Sequence, residues 1–340
     1  LAVLFIRFVV RRRVGHGIPS VLYAISQDGG KIRKHNMFSS VVTSALTVGF
    51  GGSVGLEGPT VATGAAIGSN IGQAFRLNYK QITLLLGCAC AGAMASIFKA
   101  PVTAIVFALE VIMLDLTMAS LIPLLMSSVS AALTSYLFMG QEYLYRFELT
   151  ETFALPDLPF YILMGVVAGL ASAHFTRAYM FIASLFERIK KSRFRLIIGG
   201  FVLGLLIFLF PALYGEGYEV INSCLDGDYE YIFEGSILSN YSDSVTVTII
   251  LLAAIVLLKV VATSVTFGSG GIGGIFAPTL FMGANAGLLF TKAAGVLGFN
   301  LNHSNFALVG MAGAIAGVLH APLTAIFLIP EITGGYIFRK

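Results

Sequence analysis

One carboxylate, Glu57, stands among glycines in a chain that is otherwise poor in charge. Residues 49–64 read GFGGSVGLEGPTVATG, and glycine permits backbone bends that larger residues resist. Pro59 fits the first turn of a helix, so the sequence predicts that Glu57 lies just before a helix N-terminus. The unpaired backbone N–H groups and the dipole at that end of a helix favour negative charge. We therefore expect competition at this position between the Glu57 carboxylate and a bound anion.

Two further glycine-rich stretches also lead into a proline and an apolar segment. They are GHGIP at residues 15–19 and GGIFAP at residues 273–278. Each helix N-terminus would offer backbone N–H donors and partial positive charge, without the full charge of a lysine or arginine. Conduction needs sites that bind an ion weakly enough to release it. The sequence thus predicts that several short helices meet at one small-anion site with no full countercharge.

The composition indicates which elements must carry these loops. Of the 340 residues, 57% are hydrophobic and 11% are charged, whereas soluble domains carry about 25% charged residues. The chain is therefore predicted to be an all-α polytopic membrane protein. Its basic residues cluster at residues 11–13, 31–34 and 188–195, which the excess of lysine and arginine in cytoplasmic loops predicts to lie inside the cell.

Apolar runs predict helices of unequal length. Residues 116–138 are long enough to cross a membrane, residues 160–187 are predicted to be a long helix, residues 196–210 to return across the membrane and residues 245–264 to span it. Residues 102–109 are too short for a span of about 20 residues. Residues 214–243 are predicted to be a solvated external loop. The acids in that loop lack the spacing of a calcium site, and the three cysteines Cys88, Cys90 and Cys224 are predicted to be ordinary thiols, so no metal site is expected.

The two halves of the chain share an internal repeat. GAMASIFKAPVTAIVFALEV at residues 92–111 aligns without a gap with GAIAGVLHAPLTAIFLIPEI at residues 313–332. Each segment has a glutamate one residue before its end, Glu110 or Glu331, for which a shared structural role is expected. Paired halves with short, Gly/Pro-interrupted apolar segments are typical of transporters whose broken helices meet near the membrane midplane.

The repeat predicts the domain organisation. Residues 1–140 would form a first, N-terminally truncated repeat of the transmembrane domain, and residues 160–340 a second, C-terminally truncated one. Residues 141–159 would be the external connection between them. The two repeats would contain broken, re-entrant and tilted helices, because irregular backbone at membrane depth survives only where it is buried or lines a cavity.

Taken together and in this order, the three glycine-rich motifs resemble those of the CLC family of chloride channels and proton-coupled chloride exchangers. The resemblance implies a homodimer with one anion pathway per subunit and two inverted-topology repeats in each subunit. Glu57 is then similar to the external gating glutamate, which occupies an anion site when ionised and moves away when protonated or displaced. The implied anion-binding residues are His16, Gly17, Ile18, Gly55, Leu56, Gly58, Ile275 and Phe276.

Two positions depart from the family pattern. His16 stands where the family commonly has a serine; its imidazole N–H would donate to an anion, or alternatively bond to backbone at the helix entry. Val111 stands where exchangers commonly have the inner proton-transfer glutamate. Because an apolar side chain cannot relay protons, Val111 favours a channel, whereas a chloride/proton antiporter would need another inner proton route.

A function of a different class is an intramembrane enzyme with Glu57 and His16 as an acid/base pair. No nucleophile or metal-ligand spacing supports it, so the chain is predicted not to be an enzyme and to need no cofactor, chloride being its transported ligand. Nucleic acid is not an expected partner. The absence of long insertions of the eukaryotic kind favours a bacterial inner membrane protein.

Overall fold

The computed structural model describes residues 1–12, 14–15, 17–112, 118–140, 155–235 and 244–333. Its regular structure is helical, and fourteen α-helices lie within those ranges. The helices before residue 141 are α1 Ala2–Phe5, α2 Ile18–Gln27, α3 Asn36–Gly49, α4 Glu57–Ala74, α5 Tyr79–Phe98, α6 Pro101–Glu110 and α7 Met118–Met139. The later helices are α8 Leu158–Arg188, α9 Ser192–Leu209, α10 Tyr218–Asp226, α11 Val245–Gly268, α12 Phe276–Val296, α13 His303–Leu319 and α14 Pro322–Thr333.

Helix length and apolarity separate two kinds of element. In the described part of the chain, five helices are long and apolar enough to cross a membrane, namely α5, α7, α8, α9 and α11. Helices α6, α13 and α14 are apolar but shorter, and a helix of about 20 residues is needed to cross the hydrocarbon core. The predicted all-helical, multi-span membrane fold is thus confirmed.

Glycines allow the buried helices to cross closely. A Cβ atom on Gly283 of α12 would overlap the backbone of Gly310 in α13, and one on Gly287 would overlap the backbone of Ala307. In α4, a Cβ on Gly64 would lie 2.7 Å from the carbonyl oxygen of Ala89 in α5. Small residues drive helix association in membranes because they permit such backbone approach, and these crossings hold α4 and α12 in place.

The short helices α6 and α14 cap each other. The carboxylate of Glu110, at the end of α6, accepts hydrogen bonds from two backbone N–H groups at the start of α14 (3.0 and 2.7 Å) and from Thr324 Oγ1 (2.7 Å). Glu331 of α14 accepts the corresponding bonds from the start of α6 (3.1 and 2.7 Å) and from Thr103 Oγ1 (2.6 Å). A carboxylate stabilises a helix N-terminus, so both glutamates have the same structural role.

The predicted solvated loop at residues 214–243 is wrong in its first half. Helix α10 lies there, and it buries Val220, Ile221, Cys224 and Leu225. These residues recur at the spacing of one helix face, a pattern that the surrounding acidic residues obscure in the sequence. Cys224 is therefore a buried thiol rather than part of a polar loop, while residues 236–243 lie outside the described part.

The predicted external connection also changes at one end. Helix α8 begins at Leu158, so the last two residues assigned to the connection belong to a long helix. A 3₁₀ turn, Leu155–Asp157, precedes it. Residues 141–154 of the connection lie outside the described residues.

Candidate anion-binding site

Two of the glycine-rich loops are joined by backbone hydrogen bonds. Gly55 N–H donates to the carbonyl oxygen of Gly274 at 2.9 Å, and Gly274 N–H donates to that of Gly55 at 2.7 Å. This bridge sets the N-terminus of α4 beside that of α12. A Cβ atom on Gly274 would lie 2.9 Å from the backbone nitrogen of Gly58, so the two helix starts can approach this closely only with glycine at that position.

The third loop contacts the same place. Gly17 has φ +55°, and a Cβ atom there would lie 3.1 Å from the carbonyl carbon of Gly58. Ser20 Oγ donates to the carbonyl oxygen of Gly17 at 2.7 Å, which closes the turn at the start of α2, and Ile18 is the first residue of that helix. His16 lies outside the described residues, so its contact with an anion stays a prediction.

The remaining predicted ligands occupy matching positions in the two bridged helices. Leu56 is the N-cap of α4 and Ile275 is the N-cap of α12, and both lack a side-chain cap. Phe276 begins α12, is buried, and lies with its ring centroid 5.2 Å from that of Phe98. Backbone N–H groups in a first helical turn have no partner inside the helix. The structure therefore gathers N–H donors from α4 and α12 at one point, with the start of α2 in contact.

Glu57 lies in this cluster with its side chain buried. It is 2% exposed, and it is the first residue of α4 rather than a residue before the helix, which corrects the predicted start. Backbone N–H groups of Glu57 itself and of Ala277 face the carboxylate. A Cβ atom on Gly55 would overlap that carboxylate. The acid group thus lies against the N-termini of both α4 and α12.

One hydrogen bond to the Glu57 carboxylate comes from a residue that the sequence analysis missed. The hydroxyl of Tyr218, the first residue of α10, donates to Glu57 Oε1. Oε2 is buried and makes no hydrogen bond of normal geometry within the described part of the chain. Tyr218 follows Gly215 and Gly217 in the sequence GEGY; this glycine-rich helix entry was a usable signal, although it lacks the proline of the other motifs.

A buried lysine was missed as well. Lys259 in α11 is 0% exposed; its Nζ donates to the carbonyl oxygen of Gly215 at 3.1 Å and lies 4.3 Å from the ring centroid of Phe281. A lone lysine inside an apolar membrane helix is itself a signal of function. This lysine bonds the loop that leads to Tyr218, so the expected anion site without a full countercharge stays a prediction.

Glu216 adds a titratable group to the same loop. It lies between α9 and α10, outside the membrane-spanning helices. Burial raises the pKa of Glu216 to about 7; the charge of Glu57 adds to the rise and that of Lys259 opposes it. A group with this pKa changes its charge near neutral pH, next to the Glu57 carboxylate.

Val111, at the expected inner proton-transfer position, has no titratable side chain. Val111 is the C-cap of α6 and is half-buried, and its N–H donates to the carbonyl oxygen of Phe107 at 2.8 Å. The neighbouring carboxylate of Glu110 is used by its hydrogen bonds to the start of α14. Among the described residues, no group of three or more His, Cys, Asp or Glu side chains is placed to hold a metal ion.

Comparisons with known proteins agree with this architecture. A sequence profile of the family described as voltage gated chloride channel matches residues 1–338. The voltage-gated ClC-type chloride channel ClcB of Citrobacter koseri is 30% identical over 328 residues, which cover 94% of this chain and 73% of that protein. ClcB of Escherichia coli is 29% identical over 327 residues, with the same shares of 94% and 73%.

Solved structures show the same fold. The crystal structure of a CLC-type fluoride/proton antiporter superimposes with a TM-score of 0.77 at 23% identity, covering 98% of this chain and 78% of that chain. The structure of a slow cyanobacterial Cl⁻/H⁺ antiporter gives a TM-score of 0.78 at 22% identity, covering 98% and 76%. With bacterial relatives matched along nearly its whole length, this multi-pass membrane protein belongs to the CLC family of chloride channels and transporters, and it is an anion transport protein of that family and not an enzyme.

Proposed function

We propose that this protein carries chloride and similar small anions through one pathway in each subunit, and that Glu57 gates the pathway. The observation that carries the proposal is the buried Glu57 carboxylate, which lies over the bridged N-termini of α4 and α12. Carboxylate and halide would use the same backbone N–H donors and the same partial positive charge. An anion therefore enters only when the carboxylate leaves or is neutralised.

The proposal assigns the anion ligands by their place around this point. Backbone N–H groups at Leu56 and Gly58 would form the outer site beside the carboxylate. Gly55, also expected among the ligands, has its N–H in the bridge to Gly274 and would hold the loop instead. Those of Ile275 and Phe276 would form the central site. Gly17 and Ile18, at the start of α2, would complete the cage together with His16. The contacts of Gly17 and Gly274 with Gly58 support this grouping.

Replacing Glu57 tests the gate. Glu57→Ala removes the competing carboxylate, so chloride flux from proteoliposomes should lose the part of its pH dependence that comes from Glu57, and chloride should bind more tightly. Glu219→Gln is a matched control, since Glu219 is an exposed glutamate in the first turn of α10. Flux that is equal in wild type and Glu57→Ala at every pH would overturn the proposed gate.

Within this function, channel-like transport without obligatory proton exchange is favoured at the inner end. Val111, at the expected inner proton-transfer position, has an apolar side chain. Glu110 is held by three hydrogen bonds in a structural cap. Neither side chain is suited to pass a proton. The second candidate is a chloride/proton antiporter with a different inner route. The side chains of Glu57, Tyr218 and Glu216 favour it, because they form a set of titratable groups at the outer end.

One measurement separates these two candidates. Proteoliposomes with asymmetric chloride are clamped at different voltages, and the voltage of zero flux is recorded with and without a proton gradient. A channel gives the same zero-flux voltage in both conditions. A shift with the proton gradient demonstrates coupling and overturns the argument from Val111.

The assembly is also part of the proposal. We propose a homodimer in a bacterial inner membrane, with residues 1–140 and 160–340 as the two repeats of each subunit. The reciprocal caps of α6 and α14 support two related halves. Helix α7, which packs against α6, exposes large apolar side chains: Ile122, Leu125, Met126, Leu133 and Leu137. Counting photobleaching steps of singly labelled protein in liposomes tests the dimer, since a monomer gives one step.

A further inference from the structure

Tyr218 connects the second half of the chain to the gating carboxylate in the first half. Its hydroxyl donates to Glu57 Oε1 across a sequence separation of 161 residues. Tyr218 is half-buried at the first position of α10. A hydrogen bond to an ionised group is stronger than one between neutral groups, so this contact stabilises the carboxylate in its present position.

The loop before Tyr218 is fixed from two sides. Lys259 Nζ donates to the carbonyl oxygen of Gly215 at 3.1 Å. Gly217 has φ +86°, and a Cβ atom there would overlap the ring of Phe281 in α12, so the backbone packs directly on that ring. Behind the loop, α10 is anchored by its buried apolar face. Tyr218 is therefore presented to Glu57 by a held backbone, not by a free loop.

We propose that Tyr218 is a positioning residue for the gate, whose hydroxyl holds the Glu57 carboxylate over the N-termini of α4 and α12 in the place of an anion. This inference rests on the proposed gating function of Glu57. An incoming anion must break the hydrogen bond between Tyr218 and Glu57 before it can use the backbone donors. Tyr218 thus weakens anion binding and slows opening without touching the anion.

The first test removes the hydroxyl. Tyr218→Phe should raise the chloride affinity of the purified protein, measured by isothermal titration calorimetry, by about tenfold to a hundredfold, the size expected for one lost hydrogen bond to a carboxylate. The half-saturating chloride concentration for flux should fall by a similar factor, with a smaller change in maximal flux. Tyr231→Phe is the matched control, because its hydroxyl bonds Asn285 Oδ1 at 2.6 Å and should leave the affinity unchanged.

The second test asks whether Tyr218 acts through Glu57. In the Glu57→Ala background, which has no carboxylate to hold, Tyr218→Phe should change neither affinity nor flux. An equal effect in both backgrounds would mean that Tyr218 acts on the anion itself, and would overturn the inference. Thermal melting is recorded for every variant, and Tyr218→Met supplies a second side chain without a hydroxyl if the phenylalanine variant does not fold.

The outcomes also separate this inference from the proposed function. If Glu57→Ala changes affinity and pH dependence but Tyr218→Phe changes neither, the gate stands and the positioning role of Tyr218 is wrong. If Glu57→Ala itself changes nothing, the proposed gate has failed and the inference fails with it.

Discussion

Lys259 Nζ, inside α11, donates a hydrogen bond to the carbonyl oxygen of Gly215, in the loop between α9 and α10, at 3.1 Å. The lysine is completely buried, and its ammonium group also lies over the face of Phe281. Burying an ammonium group is unfavourable unless hydrogen bonds and nearby charge compensate for it. The carbonyl, the aromatic face and the nearby charge of Glu216 offset part of that cost.

Lys259→Ala should destabilise the protein strongly. The change leaves the buried Gly215 carbonyl without its donor and opens a cavity next to Phe281, effects of about 1–3 and about 2–5 kcal/mol respectively. Melting of the detergent-solubilised protein should therefore occur at a clearly lower temperature. Lys259→Arg keeps a donor and should lose less, and Lys80→Ala, at an exposed position in α5, should melt like the wild type. Equal melting of Lys259→Ala and Lys80→Ala would contradict the anchoring role.

Glu216 should give anion transport a pH dependence near neutrality. Because the pKa of Glu216 is raised to about 7, its side chain is mostly neutral below that pH and mostly charged above it. The charged form places a negative group beside Glu57 and repels an approaching anion. Chloride flux should therefore fall as the external pH rises from about 6 to about 8, in part through this group.

Glu216→Gln should remove that part of the pH dependence. The residual dependence on pH belongs to Glu57 under the proposed gate, so the double variant Glu216→Gln with Glu57→Ala should be flat. Glu219→Gln serves as the control, because Glu219 lies exposed three residues further along the chain. A pH profile identical in wild type and Glu216→Gln would show that Glu216 does not face the anion route.

The sequence predicts that the glycine-rich loops meet, because the glycines and prolines that indicate this lie within each short segment. Gly17, Gly55, Gly58 and Gly274 are needed where backbones touch, and a proline near each helix start marks its direction. The sequence predicts that α4 begins after Glu57, whereas Glu57 is its first residue. The preference for proline in the first turn indicates that a helix begins here but does not fix its first residue.

The contacts of Tyr218 and Lys259 could not be predicted in the same way. Each depends on a partner far along the chain, Glu57 for the tyrosine and Gly215 for the lysine, and no spacing within either segment encodes it. Because acidic residues follow α10, the sequence indicates a solvated loop where the structure has a short helix with a buried apolar face. Only the packing of α10 and α11 against α12 brings these groups to the gate.

The crossing of α12 and α13 should tolerate no added methyl group. Gly283→Ala and Gly287→Ala would each force a Cβ into the backbone of α13, and overpacking of this kind costs about 1–3 kcal/mol or more. Both variants should melt at a lower temperature than the wild type. Gly165→Ala and Gly204→Ala are matched controls, since a Cβ at either position meets nothing within 4 Å, and alanine favours a helix over glycine by about 1 kcal/mol. The idea fails if all four variants melt alike.

The reciprocal caps of α6 and α14 predict that two distant substitutions have the same effect. Glu110→Ala leaves the N-terminus of α14 without its carboxylate, and Glu331→Ala does the same to α6. Loss of a cap costs about 0.5–2 kcal/mol, and the loss of several charge-assisted bonds places both variants at or above the upper end of that range. Their melting temperatures should fall by similar amounts, whereas Glu187→Ala, at an exposed position near the end of α8, should change little.

Because each carboxylate bonds a threonine hydroxyl as well as backbone N–H groups, the hydroxyls provide a finer test of the same symmetry. Thr103→Val and Thr324→Val remove one hydrogen bond each, of 2.6 and 2.7 Å, and retain the shape of the side chain. Each should cost less than the corresponding glutamate substitution, by the same amount in the two halves. Neither should shift the zero-flux voltage, because in this arrangement Glu110 and Glu331 hold helices and do not carry protons. A voltage shift in Thr324→Val would instead assign Glu110 to proton transfer, next to Val111.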